Sequence, residues 1–235
     1  MSTSIVTNED NMIMMARYPD NFFDLAIVDP PYGINADKAQ NNAAEQRIKA
    51  NGKSKAGRGY KLYKTSEWDD TIPKEDYFKE LFRVSKNQII CGGNYMTKFL
   101  PPSMGWVVWN KMQREFSLAD GELIWTSFDR ALRIFDMSRG EALAKNKGRF
   151  HPTMKPTKLY YWLLQNYAKQ GDKIIDTHLG SGSSRIAAHD LGFDFYGCEL
   201  DKDYFDAQEK RFATHIAQTK LFSPEQKLAE QTNLF

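Results

Sequence analysis

The sequence predicts an α/β fold: a mixed, mostly parallel sheet with helices on both faces. Three observations predict it. Residues 24–29 (DLAIVD) form a short apolar run that ends at an acid and is cut off by Pro30 and Pro31, as befits a buried parallel strand whose chain must turn at its carboxyl end. Residues 173–200 read strand (KIID), small polar turn (THLGSGSS), helix (RIAAHDLG) and strand (FDFYGCEL), which is a βαβ unit. The 235 residues, 41% hydrophobic and 26% charged, suit one α/β domain with a loop insertion.

The other elements follow in chain order. SIVT at residues 4–7 is a short N-terminal strand. Residues 74–86 (KEDYFKELFRVSK) carry helical periodicity, and QIICG at 88–92 is a strand. Residues 105–110 (GWVVWN) and 120–126 (DGELIWT) are two more strands, with ALRIFD at 131–136 expected as a hairpin partner of the second. Residues 157–168 form a helix after Pro156, and residues 202–217 form the last helix. We expect a domain over 1–217 and a polar tail over 218–235.

Composition excludes several classes. No run approaches 18 apolar residues, so no membrane span is expected. The start lacks a basic stretch followed by an apolar one, so no signal peptide is expected, and a cytoplasmic location is the default. Two cysteines, Cys91 and Cys198, cannot build a disulfide framework or a four-cysteine zinc site. The net charge of +2 is unevenly spread. Residues 33–66 hold eight Lys/Arg (Lys38, Arg47, Lys49, Lys53, Lys55, Arg58, Lys61 and Lys64) against Asp37 and Glu45, a net +6. Such a basic loop reads either as a polyanion contact or as a solvated surface loop.

Two candidate sites lie at strand ends, where α/β sheets bind ligands. In Asp176–Gly182 (DTHLGSG), Gly180 and Gly182 let the backbone approach a ligand, and Glu199 ends the next strand, where an acid suits ribose hydroxyls. The turn is not G-x-G-x-x-G and lacks the lysine of a phosphate loop, so dinucleotide or ATP binding is not supported. In Asp29-Pro30-Pro31-Tyr32, a carboxylate and a carbonyl without a local donor can accept both hydrogens of an amino group. Tyr32 offers a flat face to a base. Either string, taken alone, also reads as an ordinary tight turn.

These residues resemble a known family. Asp29–Tyr32 is similar to the catalytic DPPY of amino-group DNA methyltransferases. His151–Pro156 (HPTMKP) resembles the family's HPTxKP segment, and Asp176–Ser183 resembles its D-P-F-x-G-S-G-T loop. Gly197–Tyr204 resembles G-x-E-x-x-x-x-Y, with Ala207 and Arg211 matching a pattern on the following helix. The catalytic motif precedes the cofactor loop, as in the beta class, so the resemblance implies a circularly permuted Rossmann-like methyltransferase fold.

The resemblance implies S-adenosyl-L-methionine as methyl donor and a flipped-out base as acceptor. Asp29, Pro30, Pro31 and Tyr32 would be catalytic. Asp176, His178, Gly180, Ser181, Gly182 and Glu199 would hold the cofactor, with Lys155 and Thr157 on its methionine side and Asp10 at its adenine. Lys38, Arg47, Lys49, Lys53, Lys55, Arg58 and Lys61 would meet double-stranded DNA, and Trp68 could wall the pocket. Adenine N6 is the expected target, with cytosine N4 as the alternative. A DNA-binding module without catalysis, or a methyltransferase acting on RNA or a protein, is a further rival. Thr177 and His178 depart from the family's Pro-Phe. A homodimer is plausible by resemblance. Gln218–Phe222 (QTKLF) and Gln231–Phe235 (QTNLF) resemble the peptide by which bacterial proteins bind the replication sliding clamp.

Overall fold

A computed structural model describes residues 2–35, 42, 45, 69–114, 119–145 and 153–219. The seven basic residues expected at DNA, together with Trp68, His151, Pro152 and the chain from 220 onward, lie outside the described residues.

Among the described residues, eight strands form one sheet: β1 (Ser4–Asn8), β2 (Phe23–Val28), β3 (Ser85–Cys91), β4 (Val107–Asn110), β5 (Gly121–Thr126), β6 (Arg133–Asp136), β7 (Lys173–Asp176) and β8 (Asp194–Glu199). Their spatial order is β1-β8-β7-β2-β3-β5-β4-β6. Of these eight, only β5 is antiparallel to both its neighbours. The sheet is therefore mostly parallel, and its order is that of a circularly permuted Rossmann-like methyltransferase fold.

Six helices accompany it among the described residues: α1 (Asn11–Ala16), α2 (Glu75–Val84), α3 (Arg139–Lys145), α4 (Thr157–Tyr167), α5 (Ser183–Asp190) and α6 (Lys202–Thr219). The alternation of strand residues divides the core into two. Leu25 and Ile27 of β2 pack in the cluster that holds Leu159, Leu163, Ala187 and Ala188 of α4 and α5. Ala26 and Val28 pack in the cluster of Met14, Met15, Phe78 and Leu81 from α1 and α2. Helix α2 forms because Tyr77, Phe78, Leu81 and Val84 share a buried face, with acids in its first turn and Arg83 in its last. It passes into β3 with no loop between.

One expectation changes. ALRIFD does not form a hairpin with β5. Residues 133–136 pair with β4 in parallel, Val107 opposite Arg133. Both edges of β5 are already occupied, by β3 and by β4, so the free edge is that of β4. Helix α1 lies in a stretch to which the sequence pattern assigns no element: Asp10 caps it, its Oδ1 accepting from the amides of Met12 at 2.8 Å and Ile13 at 3.4 Å. No helix among the described residues is long and apolar enough to cross a membrane.

Candidate active site

Strands β1, β2, β7 and β8 are parallel, so their carboxyl ends meet on one side of the sheet. There the chain places Glu9 and Asp10 after β1, Asp29 after β2, Asp176 at the end of β7 and Glu199 at the end of β8. A cavity of about 390 Å³ runs among them, a size suited to a small ligand. Asp10, Asp29, Pro31, Lys155, His178, Gly180, Ser181 and Glu199, all expected from the sequence, line it. So do Glu9, Asn11, Tyr160, Leu200 and Asp201, which carry no functional signal in the sequence pattern, and Tyr204, which closes the G-x-E-x-x-x-x-Y match.

The remaining expected residues support the cavity. Asp176 is buried; its Oδ2 accepts from the Ser184 hydroxyl at 2.5 Å and its Oδ1 from the His178 amide at 3.0 Å. Burial raises its pKa to about 7, against those two bonds. Gly182 begins α5 at a φ of +72°, and a side chain there would meet Gln208 at 3.1 Å. Thr157, expected beside the cofactor, does not line the cavity and accepts from Arg211 at 3.1 Å. The same guanidinium donates to the Ser181 carbonyl and the Ser183 hydroxyl, so α6 clamps the loop to α4. Both Glu199 oxygens accept backbone hydrogens, from Gly180 at 2.7 Å and Asp201 at 2.9 Å. A carboxylate has about four lone-pair positions, so each oxygen can still accept from a hydroxyl.

The DPPY turn is fixed from outside. Asp69, buried, accepts from the amides of Tyr32 at 2.8 Å and Gly33 at 3.0 Å. The Tyr32 hydroxyl donates to Asp29 Oδ1 at 2.8 Å. The Tyr32 ring lies on the backbone of Gly92 and stacks on Tyr95, with centroids 5.0 Å apart. Tyr95 is exposed.

Lys155 has partners that the sequence did not suggest. Its ammonium, expected towards the methionine part of a cofactor, lies 2.6 and 2.7 Å from the Asp29 oxygens and 2.8 Å from the Tyr32 hydroxyl. It also stands 3.4 Å from Glu122 Oε2. Burial raises the Asp29 pKa, and the Lys155 ammonium pulls against that rise. Burial disfavours the Lys155 charge, but Asp29 and Glu122 outweigh it and hold the ammonium charged.

His178 occupies the family's phenylalanine position with a hydrogen-bond network. Asn11 Nδ2 lies 3.1 Å from its Nε2, Thr177 Oγ1 is 3.1 Å from its Nδ1, and the Tyr77 hydroxyl is 2.8 Å from Thr177 Oγ1. Burial lowers the His178 pKa from 6.5 to about 3. The unfolded chain therefore takes up this proton well before the folded one, and stability is withdrawn as pH falls from 6.5 towards 3. Asp176 acts with the opposite sign: its raised pKa favours the folded state below 3.8, and that contribution is lost as pH rises through about 7. We expect His178→Phe to lose stability less steeply than the parent between pH 6.5 and 4. Urea midpoints across that range check this, and parallel curves would refute it.

The strand order, with acids at the strand ends, is that of a permuted, Rossmann-like methyltransferase fold. The DNA methylase family matches residues 108–210. The type II methyltransferase M2.DpnII of Streptococcus pneumoniae is 38% identical over 61 residues, 26% of this chain and 23% of that protein. The chain thus spans about a quarter of that relative. The putative methylase YubD of Escherichia coli (strain K12) is 25% identical over 87% of this chain and 88% of its own. A putative DNA modification methylase from Thermus thermophilus, solved with S-adenosyl-L-methionine, superposes with a TM-score of 0.54 at 17% identity, covering 91% of this chain and 96% of that one. The cytosine-N4-specific PvuII DNA methyltransferase superposes with a TM-score of 0.56 at 13% identity, covering 90% and 87%. The two solved structures share the permuted Rossmann-like fold with this chain over about nine-tenths of its length.

Proposed function

We propose that the chain transfers a methyl group from S-adenosyl-L-methionine to the N6 amine of adenine in duplex DNA, acting on a base swung out of the helix. The observation that carries this reading is one cavity joining the Glu199 end of the sheet to Asp29. Its lining suits a cationic nucleoside: among the described residues, five carboxylates (Glu9, Asp10, Asp29, Glu199 and Asp201) face a single ammonium, Lys155. Glu199 would accept from ribose hydroxyls, Asp10 and Asn11 would meet the adenine edge, and Leu200 would cover the ring. The backbone of 178–182, with Thr153 and Met154 opposite, would border the methionine part. When bound, the sulfonium supplies an electrophilic methyl group and leaves as a neutral thioether while the amine releases one proton.

The chain's own residues do the rest. Asp29 and the Pro30 carbonyl accept the amine hydrogens, which draws the nitrogen lone pair out of conjugation with the ring. Asp69 and Tyr32 hold that carboxylate in place. The work is positioning and electrostatics, without a covalent intermediate on the protein. The basic segment 33–66 would meet phosphates, which position DNA without reading its sequence. A homodimer, and a clamp contact through Gln218–Phe222 or Gln231–Phe235, remain proposals; of these segments only Gln218 and Thr219 are described, at the end of α6.

Cytosine N4 is the second reading, favoured by the likeness to the PvuII enzyme. Both targets are exocyclic amines, so the same acceptors serve either. The test is transfer of labelled methyl to unmethylated duplex DNA of mixed sequence, followed by digestion and identification of the nucleosides. N6-methyladenine supports the first reading and N4-methylcytosine the second. Label in RNA or peptide alone would overturn both.

A further inference from the structure

The Lys155 ammonium occupies the place a target amine needs. It has three hydrogens, and three acceptors surround it at 2.6–2.8 Å: both Asp29 oxygens and the Tyr32 hydroxyl. Beside it stands a second carboxylate, Glu122, which pairs with Lys155 only at longer range. Glu122 Oε1 is paired with Lys111 at 2.7 Å, and Lys111 is steadied over the Trp109 ring at 5.2 Å. Glu122 Oε2 is buried and has no hydrogen-bond partner among the described residues, although Lys155 Nζ is 3.4 Å away. A buried carboxylate oxygen without a donor is costly to maintain. Closing 3.4 Å to hydrogen-bond distance requires a shift of about half an ångström.

We propose that Glu122 is a positioning residue: it receives the Lys155 ammonium when a target amine takes its place on Asp29. The inference rests on the methyltransferase reading above. Two ammonium hydrogens and the Tyr32 hydroxyl already take three of the roughly four acceptor positions of Asp29, so the ammonium crowds an incoming amine. An ammonium on Asp29 also opposes the positive charge that builds on the nitrogen as it is methylated. Moving the ammonium to Glu122 leaves the four charges of Lys111, Glu122, Lys155 and Asp29 balanced, and turns the field of Asp29 towards the reacting nitrogen. No proton need be transferred. The exchange swaps one acceptor for another around a lysine that stays charged.

The test compares Glu122→Gln with Glu122→Gln/Lys155→Met, both in the full chain, in single-turnover methyl transfer to unmethylated mixed-sequence DNA at pH 8.5. The glutamine amide has one acceptor oxygen for two ammonium groups, so Lys155 stays on Asp29. The single variant is expected to transfer roughly 10–100-fold more slowly, the worth of a hydrogen bond to a charged group. Its affinities for S-adenosyl-L-methionine and DNA should stay close to the parent's, while its thermal midpoint falls because Lys111 loses its carboxylate partner. Removing Lys155 as well should recover part of the lost rate, because nothing is left to be displaced. A purely structural role for Glu122 gives the reverse, a double variant slower than the single one. That result overturns the proposal, as does a Glu122→Gln protein with the parent's rate or one that has lost cofactor binding. If the parent protein methylates no DNA, the functional reading itself fails. Transfer by the parent without recovery in the double variant fails this inference alone.

Discussion

Asp29→Ala is expected to lower methyl transfer by at least about 10²–10³-fold while leaving cofactor affinity within a few-fold of the parent. The rate loss follows from removing the charged acceptor that the reacting amine requires, a preorganised electrostatic contact of the kind worth that much. Cofactor affinity should persist because the Glu199 end of the cavity is held independently, by Glu199 on Gly180 and Asp201 and by Arg211 on Ser181. Stability is the complication to control, since truncating one partner of a buried ion pair costs about 3–5 kcal/mol when the other charge is stranded. Here Glu122 stands 3.4 Å from Lys155 and can take over, so the loss should fall below that range. Calorimetric cofactor titration, urea unfolding and labelled methyl transfer on the same preparation separate the three quantities. A variant that transfers methyl within tenfold of the parent would remove Asp29 from the reaction.

Gly92→Ala should cost roughly 2–4 kcal/mol of stability and most of the activity, although Gly92 touches no substrate in the proposed reaction. Two penalties combine. The residue has a φ of +65°, a conformation that strains any residue with a side chain. A Cβ there would also lie 2.2–2.7 Å from the Cε1, Cζ and Cδ1 atoms of Tyr32, so the ring must move, and overpacking of this kind costs about 1–3 kcal/mol by itself. A displaced ring carries its hydroxyl away from Asp29 and Lys155. Gly171→Ala is the matched control: its φ is +92°, but nothing lies within 4 Å of the added carbon, so it should show the strain without the loss of transfer. Equal activity losses in the two variants would refute the steric link to Tyr32.

The parts of the molecule legible in the sequence are those set by local pattern. The strands at 23–28, 173–176 and 194–199 show as short apolar runs closed by an acid and a turn, and the helix at 157–167 shows as an apolar stripe after a proline. The acids at their ends fall where strand polarity puts them, so most of the expected ligand-binding residues meet in one cavity. What the sequence hid depends on distant partners. Glu122 sits in an alternating strand, GELIWT, where a polar residue reads as solvent-facing; its meaning comes from Lys155, 33 positions later. The direction of Lys155 is set by Asp29, 126 positions earlier. Asp10 looked like a bare ligand because the helix it caps has only six residues, too few for a periodic signal. The edge pairing of residues 133–136 turned on which neighbour β5 had already taken.

The partnership of β1 with β8 sets an order of events during synthesis. Ser4 pairs with Phe195 and Asn8 with Glu199, 191 residues apart. Strand β1 therefore leaves the ribosome long before its partner exists, and non-local pairing of this kind is slow to form. Until β8 arrives, β1 is an unpaired edge open to wrong partners. Glu9, Asp10 and Asn11 hang from the first strand, while Leu200, Asp201 and Tyr204 follow the last. These residues line one end of the cavity, so that end is complete only once β1 and β8 have paired. Ligand capture would then act on the slowest part of folding, and adding cofactor during refolding should hold the late-docking strand in place.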